Sequence, residues 1–421
     1  MIPVSEALDI IIRETSSLGS ETVEIGQSVW RVLGEDIVAD TDLPPFDRSQ
    51  MDGFAVIADD TKNAQVKLKI IGESVAGKGF DGTLKSGEAV RIMTGARVPK
   101  GADAVQKVEL TDDSGDGKRD TGKAGIVEIH ESAKKAKFIV PKGFEIKKGE
   151  SVFFKGEIIT ANMIASLAAF GYAEVKISVL PSVAIVSTGS EIVDVHETPG
   201  KDQIRDSNSR MLEALCKKIG CPVNLLPIAG DNLQALKSVI SNAAGLTSPT
   251  QKKKFNIQNP KSNILIITGG VSVGKYDFTK AALNELGAEI FFEKVRLKPG
   301  KPIVFAKLGD TLIFGLPGNP VSAAVTFYLF VRKAILEMQN AVMTGLKQGF
   351  AILAAPVKAA NERDTYLPAC LETDSDAKLT ATPLKCHGSS DFIGFARSEA
   401  LIIVPKGKSF DAGEVVEIAY L

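Results

Sequence analysis

Three glycine-rich turns fall within residues 263–326, and each could hold an oxyanion. Asn263-Ile264-Leu265-Ile266-Ile267 runs into TGGVSVGKYD (268–277), Glu289–Leu297 ends in KPGKP (298–302), and Thr311-Leu312-Ile313-Phe314 runs into GLPGNPVS (315–322). Such turns offer free backbone N–H groups and helix N-termini, and Lys294, Lys298 and Lys301 add positive charge. A single Gly-Gly or Pro-Gly is usually no more than a tight turn; three in one α/β unit point further, to a phosphate or another oxyanion. Acidic residues recur just beyond strand ends, at Glu191, Asp206, Asp231 and Asp277. In a parallel sheet these positions converge on one edge. Carboxylates beside an anion cradle suit a hard cation such as Mg²⁺, which bridges carboxylate and phosphate oxygens. Helix capping competes at each, most strongly at Asp206, which immediately precedes a helical stretch.

Positioning these groups requires an α/β sheet. Short apolar runs bounded by Gly and Pro, alternating with helical patterns, read as buried parallel strands, whose carboxyl ends form the ligand crevice. Val183–Val186 opens the unit and feeds Ser187–Glu191. A helix runs from Asp206-Ser207-Asn208 to Ile219, the strand Val223–Ile228 leads to Gly230-Asp231-Asn232, and another helix ends near Ala243. The lysine- and asparagine-rich stretch Thr247–Ser262 lacks periodicity and reads as a surface insertion.

Around this unit the pattern changes. Residues 1–40 read as an amphipathic helix, a strand (Glu21–Ile25) and a second helix ending near Leu33-Gly34. DLPPFDRSQMDGFAV (42–56) is a stiff polar loop entering a strand, with an ordinary linker as the plainer reading. Residues 54–140 look all-β, with compact turns at Met93–Ala96 and Gly101–Ala104; Thr94 in the first could offer a hydroxyl to a ligand or simply cap its turn. Asp112–Lys123 reads as a mobile hairpin tip. Ala161–Phe170 is an apolar helix followed by a strand (Ala173–Val179), and residues 344–421 are β-rich, a small barrel or sandwich.

A chain of 421 residues has room for about three domains. Net charge −1 and a single Trp disfavour nucleic acid or an anionic membrane as partner. Cys216, Cys221, Cys370 and Cys386 have no metal-ligand spacing, and the three histidines do not make a zinc centre. No stretch reaches transmembrane length. Val4, Leu8, Ile11 and Ile12 alternate with charges at helical spacing, so the N-terminus is no signal peptide, and a cytoplasmic, reduced protein is expected.

Taken together and in order, PPFDRSQMDGFAV, MTGA, GADAV, STGSE, DSN, GGVSVGKYD, KPGKP and GLPGNPVSA resemble the MoeA family of molybdopterin molybdenumtransferases, which includes the E domain of gephyrin. The resemblance spans nearly the whole chain. It implies a multidomain α/β plus β fold: a discontinuous α+β dimerisation domain (1–41 and 141–177), an inserted β domain (42–140), a central MogA-like parallel-sheet α/β domain that binds molybdopterin (178–343) and a C-terminal β-barrel domain (344–421). It also implies a homodimer that takes adenylated molybdopterin and molybdate, releases AMP and leaves molybdenum on the dithiolene, with Mg²⁺ as cofactor and a molybdopterin adenylyltransferase as a further partner. Asp52, Thr94, Glu191, Asp231 and Asp277 match catalytic positions, the last three also as metal ligands, and Asp52 reaches the partner's site. Substrate-binding positions are Gly269, Gly270, Ser272, Lys294, Lys298, Lys301, Pro317, Gly318, Asn319, Pro320 and Ser389.

Two family arginines are absent: Val140 stands in Phe138-Ile139-Val140, and Pro368 follows Tyr366-Leu367. Neither valine nor proline replaces a planar guanidinium on an oxyanion, and Arg363 is a nearby substitute in sequence. Glu145 stands where the family carries Asp. Two other readings stay open: a divergent molybdopterin-binding paralogue without metal insertion, and an adenylyltransferase. The latter is typically the α/β unit alone, so the flanking β domains argue against it.

Overall fold

The computed structural model describes residues 1–113, 125–230, 232–246, 261–270, 278–358, 360–384 and 391–421. Asp231, Ser272, Asp277 and Ser389 lie outside them, as do most of the 112–123 hairpin and of the 247–262 insertion. The described chain forms two compact units: residues 1–35, 155–164 and 174–421, and residues 36–154 with 165–173.

In the first unit a six-stranded sheet runs in the order Val223–Leu225, Val183–Ser187, Ile264–Thr268, Thr311–Leu316, Pro302–Leu308, Glu289–Lys294. The first four strands are parallel. Every residue of Val183–Ser187, Ile264–Thr268 and Thr311–Leu316 is buried, which explains their unbroken apolar runs: both faces are covered. Ile185, Ile266 and Phe314 pack on one face with Leu212, Val321 and Phe330; Ala184, Ile267 and Ile313 pack on the other with Leu236, Ile240 and Leu283.

The last two strands correct the sequence reading. Glu289–Lys294 is not a parallel strand but an antiparallel edge on Pro302–Leu308, which in turn pairs antiparallel with Thr311–Leu316. Leu308 faces Thr311 across Gly309-Asp310, a two-residue hairpin loop of favoured composition. KPGKP therefore joins two antiparallel strands.

A second sheet closes on itself. Asp364–Thr373 pairs with Leu379–Pro383 and Ala400–Val404; Gln348–Leu353 pairs with Leu379–Pro383 and Val415–Tyr420; and Val415–Tyr420 returns to Ala400–Val404. That ring of five is the barrel expected at the C-terminus. Leu297–Lys298 adds to it in parallel, Leu297 opposite Asp364 and Lys298 opposite Thr365.

The N-terminal helix Val4–Glu14 buries Val4, Ala7 and Ile11, and Ser20–Glu24 pairs with Glu174–Ser178. The second N-terminal helix does not form. After the 3-10 turn Ile25–Gln27, Val32 and Leu33 bridge to Ile158 and Ile177, so tertiary pairing overrides the local pattern.

The other unit carries a six-stranded sheet in the order Ala104–Lys107, Gly53–Val56, Glu88–Ile92, Val66–Ser74, Ile126–Ile129, Thr111–Asp113. Its core includes Phe54, Val56, Leu68, Val127 and Ile129.

Candidate functional site

The carboxyl ends of the parallel strands open on a cavity of about 820 Å³. Its walls bring together seven of the residues expected from sequence: Glu191, Gly269, Gly270, Pro317, Gly318, Asn319 and Pro320. The strand Ile264–Thr268 delivers Gly269 and Gly270, both at positive φ (89° and 62°). A Cβ at 269 would collide with the carbonyl oxygen of Thr188, and one at 270 would approach the Thr188 hydroxyl to 2.7 Å, so glycine alone lets the two turns meet. Gly318 lies against Gly269, closing the wall.

Among the described residues several buried polar atoms at this end of the sheet have no partner: the hydroxyls of Ser187, Thr188 and Thr279 and Oδ1 of Asn208. Buried polar groups are normally satisfied, and Ser187, Thr188 and Asn208 line the cavity, so the donor and acceptor set fits a polar ligand. Asn208, Ser187 and Thr188 were not singled out from sequence. The DSN motif held the signal for Asn208, but its position at a helix start suggests capping only.

A second cavity, about 500 Å³, shares Pro302, Pro317 and Asn319 with the first. Lys298, Lys301, Arg363, Ser322 and Thr365 line it. The register that sets Lys298 opposite Thr365 brings the KPGKP turn to the barrel. Arg363 thus stands in the same cavity as Pro368, the position where the resemblance leads one to expect an arginine. The Thr365 hydroxyl is buried and has no partner among the described residues. Lys294, at the end of its edge strand, lines neither cavity. Burial pushes the Tyr366 hydroxyl up to about 12, so it stays protonated near neutrality.

Asp206 does cap: its carboxylate accepts from the Ser209 N–H at 3.0 Å and from the Ser209 hydroxyl at 2.6 Å. Glu191 is exposed at the mouth of the Thr188–Glu191 turn. Among the described residues no three metal-ligating side chains gather. Among the described residues that line the cavity, Glu191 alone offers an uncommitted carboxylate, so these donors by themselves do not make up the ligand set of a divalent cation.

In the other unit, Asp52 and Thr94 form one device. Thr94 donates its N–H (2.6 Å) and its hydroxyl (2.8 Å) to Asp52 Oδ1. The N–H, then the hydroxyl, hold the carboxyl below its ordinary value. Gly53 follows because any Cβ there would strike the Gln106 carbonyl. Val140 is buried, but it pairs directly with Arg48, whose guanidinium reaches Glu145 at 2.9 Å.

Comparison with known proteins agrees along the whole chain. Residues 2–171 match the MoeA N-terminal region (domain I and II), 184–337 a probable molybdopterin binding domain, and 351–421 the MoeA C-terminal region (domain IV). A molybdopterin molybdenumtransferase of Staphylococcus aureus (strain COL) is 35% identical over 99% of this chain and 95% of its own length, and one from Staphylococcus epidermidis (strain ATCC 35984) is 32% identical with the same coverage. Among solved structures, a molybdopterin biosynthesis MoeA protein from Pyrococcus horikoshii OT3 superposes with TM-score 0.79 at 28% identity, covering both chains fully. With all three regions matched in order and relatives above 30% identity across its length, this chain belongs to the MoeA family.

Proposed function

We propose that this protein is a molybdopterin molybdenumtransferase of molybdenum cofactor biosynthesis, which cleaves adenylated molybdopterin and transfers molybdenum from molybdate to the dithiolene. One observation carries the reading: a glycine-walled cavity of about 820 Å³ abuts one of about 500 Å³ lined by Lys298, Lys301 and Arg363, the two sharing Pro302, Pro317 and Asn319. The larger suits a pterin with its pyrophosphate, which the Gly269-Gly270 turn can approach closely. The smaller suits a tetrahedral dianion held by Lys298, Lys301 and Arg363, with the Thr365 and Ser322 hydroxyls as further donors.

Hydrolysis adds water across the P–O–P linkage: one P–O bond breaks, AMP leaves, and the pterin keeps a phosphate monoester. The chain's part is to hold the linkage against the glycine turn and keep the oxyanion next to it, since phosphoryl chemistry rests mainly on positioning and electrostatics. Glu191, with Asp231 and Asp277, would be the residues to hold Mg²⁺, and the ion would supply neutralisation of charge on the phosphates. Family membership supports a homodimer in the cytoplasm, with a molybdopterin adenylyltransferase delivering the substrate. Asp52 is assigned to the catalytic machinery, oriented by Thr94.

The test is AMP release from adenylated molybdopterin with Mg²⁺ while molybdate is titrated. Release should rise and saturate with molybdate, and Arg363→Ala should raise the half-saturating molybdate about tenfold or more, the scale of one lost charge-assisted contact. Tight pterin binding without molybdate-dependent release would favour instead a binding paralogue, the reading suggested by the residues at 140 and 368.

A further inference from the structure

The cavity of about 820 Å³ has a second neighbour besides the cationic one. A cavity of about 340 Å³ shares Ser207, Pro320 and Phe392 with it. Met211, Tyr328 and Phe395 extend its wall, and among the described residues no lysine, arginine, aspartate or glutamate lines it. A phosphate would find no counter-charge there. A flat ring would find three aromatic side chains, which favour offset-stacked or edge-on partners.

Phe392 joins the two cavities, and a ligand in either can reach it: it lines both and is 47% exposed. The short helix Phe392–Phe395 fixes its place. Asp391 accepts a hydrogen bond from the Gly394 N–H at 3.1 Å, and the Ala396 N–H donates to the Phe392 carbonyl at 2.9 Å. Phe395 packs against the core that holds Ile185, Ile266 and Phe314. One ring of this turn therefore anchors it, and the other is left between the cavities. Exposure alone is not the signal, because Ile393 is more exposed (71%) and lines neither cavity. Tyr328 stands in the segment Phe327–Val331, where the helix widens to a π turn, a local feature frequent at functional sites.

We infer that Phe392 is a stacking platform for a planar heteroaromatic ring of the substrate, and that the cavity beside it receives that ring. The inference rests on the proposed function, which supplies a ligand with a pyrophosphate between two such rings, the pterin and the adenine. Charge in the middle and flat rings at the ends match a glycine-walled cavity that continues into an uncharged aromatic one. Stacking sets the plane of the ring and tolerates either heterocycle, since each has a π-face.

The experiment measures binding of AMP, ribose 5-phosphate and molybdopterin to wild-type protein, Phe392→Leu, Phe392→Tyr and Ile393→Ala. Leucine keeps apolar volume but has no ring face. Phe392→Leu should weaken AMP, molybdopterin or both by about tenfold or more, the scale of one lost ring stack, and leave ribose 5-phosphate unchanged. Loss confined to AMP identifies the ring as adenine, and loss confined to molybdopterin identifies it as the pterin. Phe392→Tyr and Ile393→Ala should bind all three as wild-type protein does. Wild-type affinities throughout in Phe392→Leu, equal losses in Phe392→Leu and Phe392→Tyr, or a loss for ribose 5-phosphate as large as for AMP overturns the inference and leaves the proposed function standing. Failure of wild-type protein to bind molybdopterin removes both. Should Phe392→Leu not fold, the Phe392 ring resonances of wild-type protein decide: they should move upfield with AMP or molybdopterin and stay still with ribose 5-phosphate, and no movement with either ring-bearing ligand overturns the inference.

Discussion

At the residue scale, Asp52 and Thr94 show how two short side chains become one unit. Both donors of Thr94 converge on a single carboxylate oxygen. With its native value depressed, Asp52 stabilises the fold fully above the unfolded value, and that contribution is lost as pH falls through the depressed native one. Carboxyl NMR titration should find Asp52 ionising below the ordinary aspartate range, and Thr94→Val should move it part of the way back. The return is partial because the backbone N–H, the larger influence, survives the substitution. An unchanged midpoint in Thr94→Val would show that the hydroxyl contributes nothing. From sequence the pair was legible only as two motif positions 42 residues apart; their contact depends on the Gly53–Val56 and Glu88–Ile92 pairing, which no local pattern records.

At the element scale, the site is a consequence of where strands end. Ile264–Thr268 and Thr311–Leu316 are adjacent and parallel, so the GG and PGNP turns emerge side by side. Gly269→Ala combines a φ of 89° with a clash against backbone that cannot move without displacing a strand end. Gly287→Ala has a similar φ, 72°, but open space around it. Both should lose stability, Gly287→Ala by about 1 kcal/mol and Gly269→Ala by about 1–3 kcal/mol or more, since strain at left-handed positions costs that order. Denaturant unfolding checks the difference, and pterin affinity should fall only in Gly269→Ala. Strands buried on both faces were legible because their apolar runs are unbroken; Ile264–Thr268 is an example. Pro302–Leu308 was missed because alternating strands and helices suggest crossovers, whereas Gly309-Asp310 makes a hairpin. The cationic cavity was half legible: the lysines stood out and Arg363 was noted as a neighbour of position 368, but their meeting, with Thr365, depends on the parallel pairing of Leu297–Lys298 with the barrel.

At the scale of the whole molecule, the chain leaves one compact unit at residue 36, returns for 155–164, leaves again for 165–173 and stays in the first unit from 174, so the second unit is built from two segments that interrupt the first. Each unit has its own apolar core. Phe54 is fully buried among Val56, Leu68 and Val127, while Phe314 is fully buried among Ile185, Ile266 and Phe330, and no residue belongs to both clusters. A substitution in one core therefore removes contacts from that core alone, and multidomain chains commonly depart from two-state unfolding. Phe54→Ala and Phe314→Ala should each cost about 3–5 kcal/mol, the usual scale for deleting a buried aromatic ring. Scanning calorimetry should resolve two transitions, with Phe54→Ala lowering one and Phe314→Ala lowering the other. Coupling through the chain crossings near residues 36, 155, 165 and 174 would instead show as a shift of both transitions by either substitution. A single transition displaced equally by the two variants would mean that the separate cores unfold as one cooperative system, and that the inserted unit draws its stability from the rest of the chain.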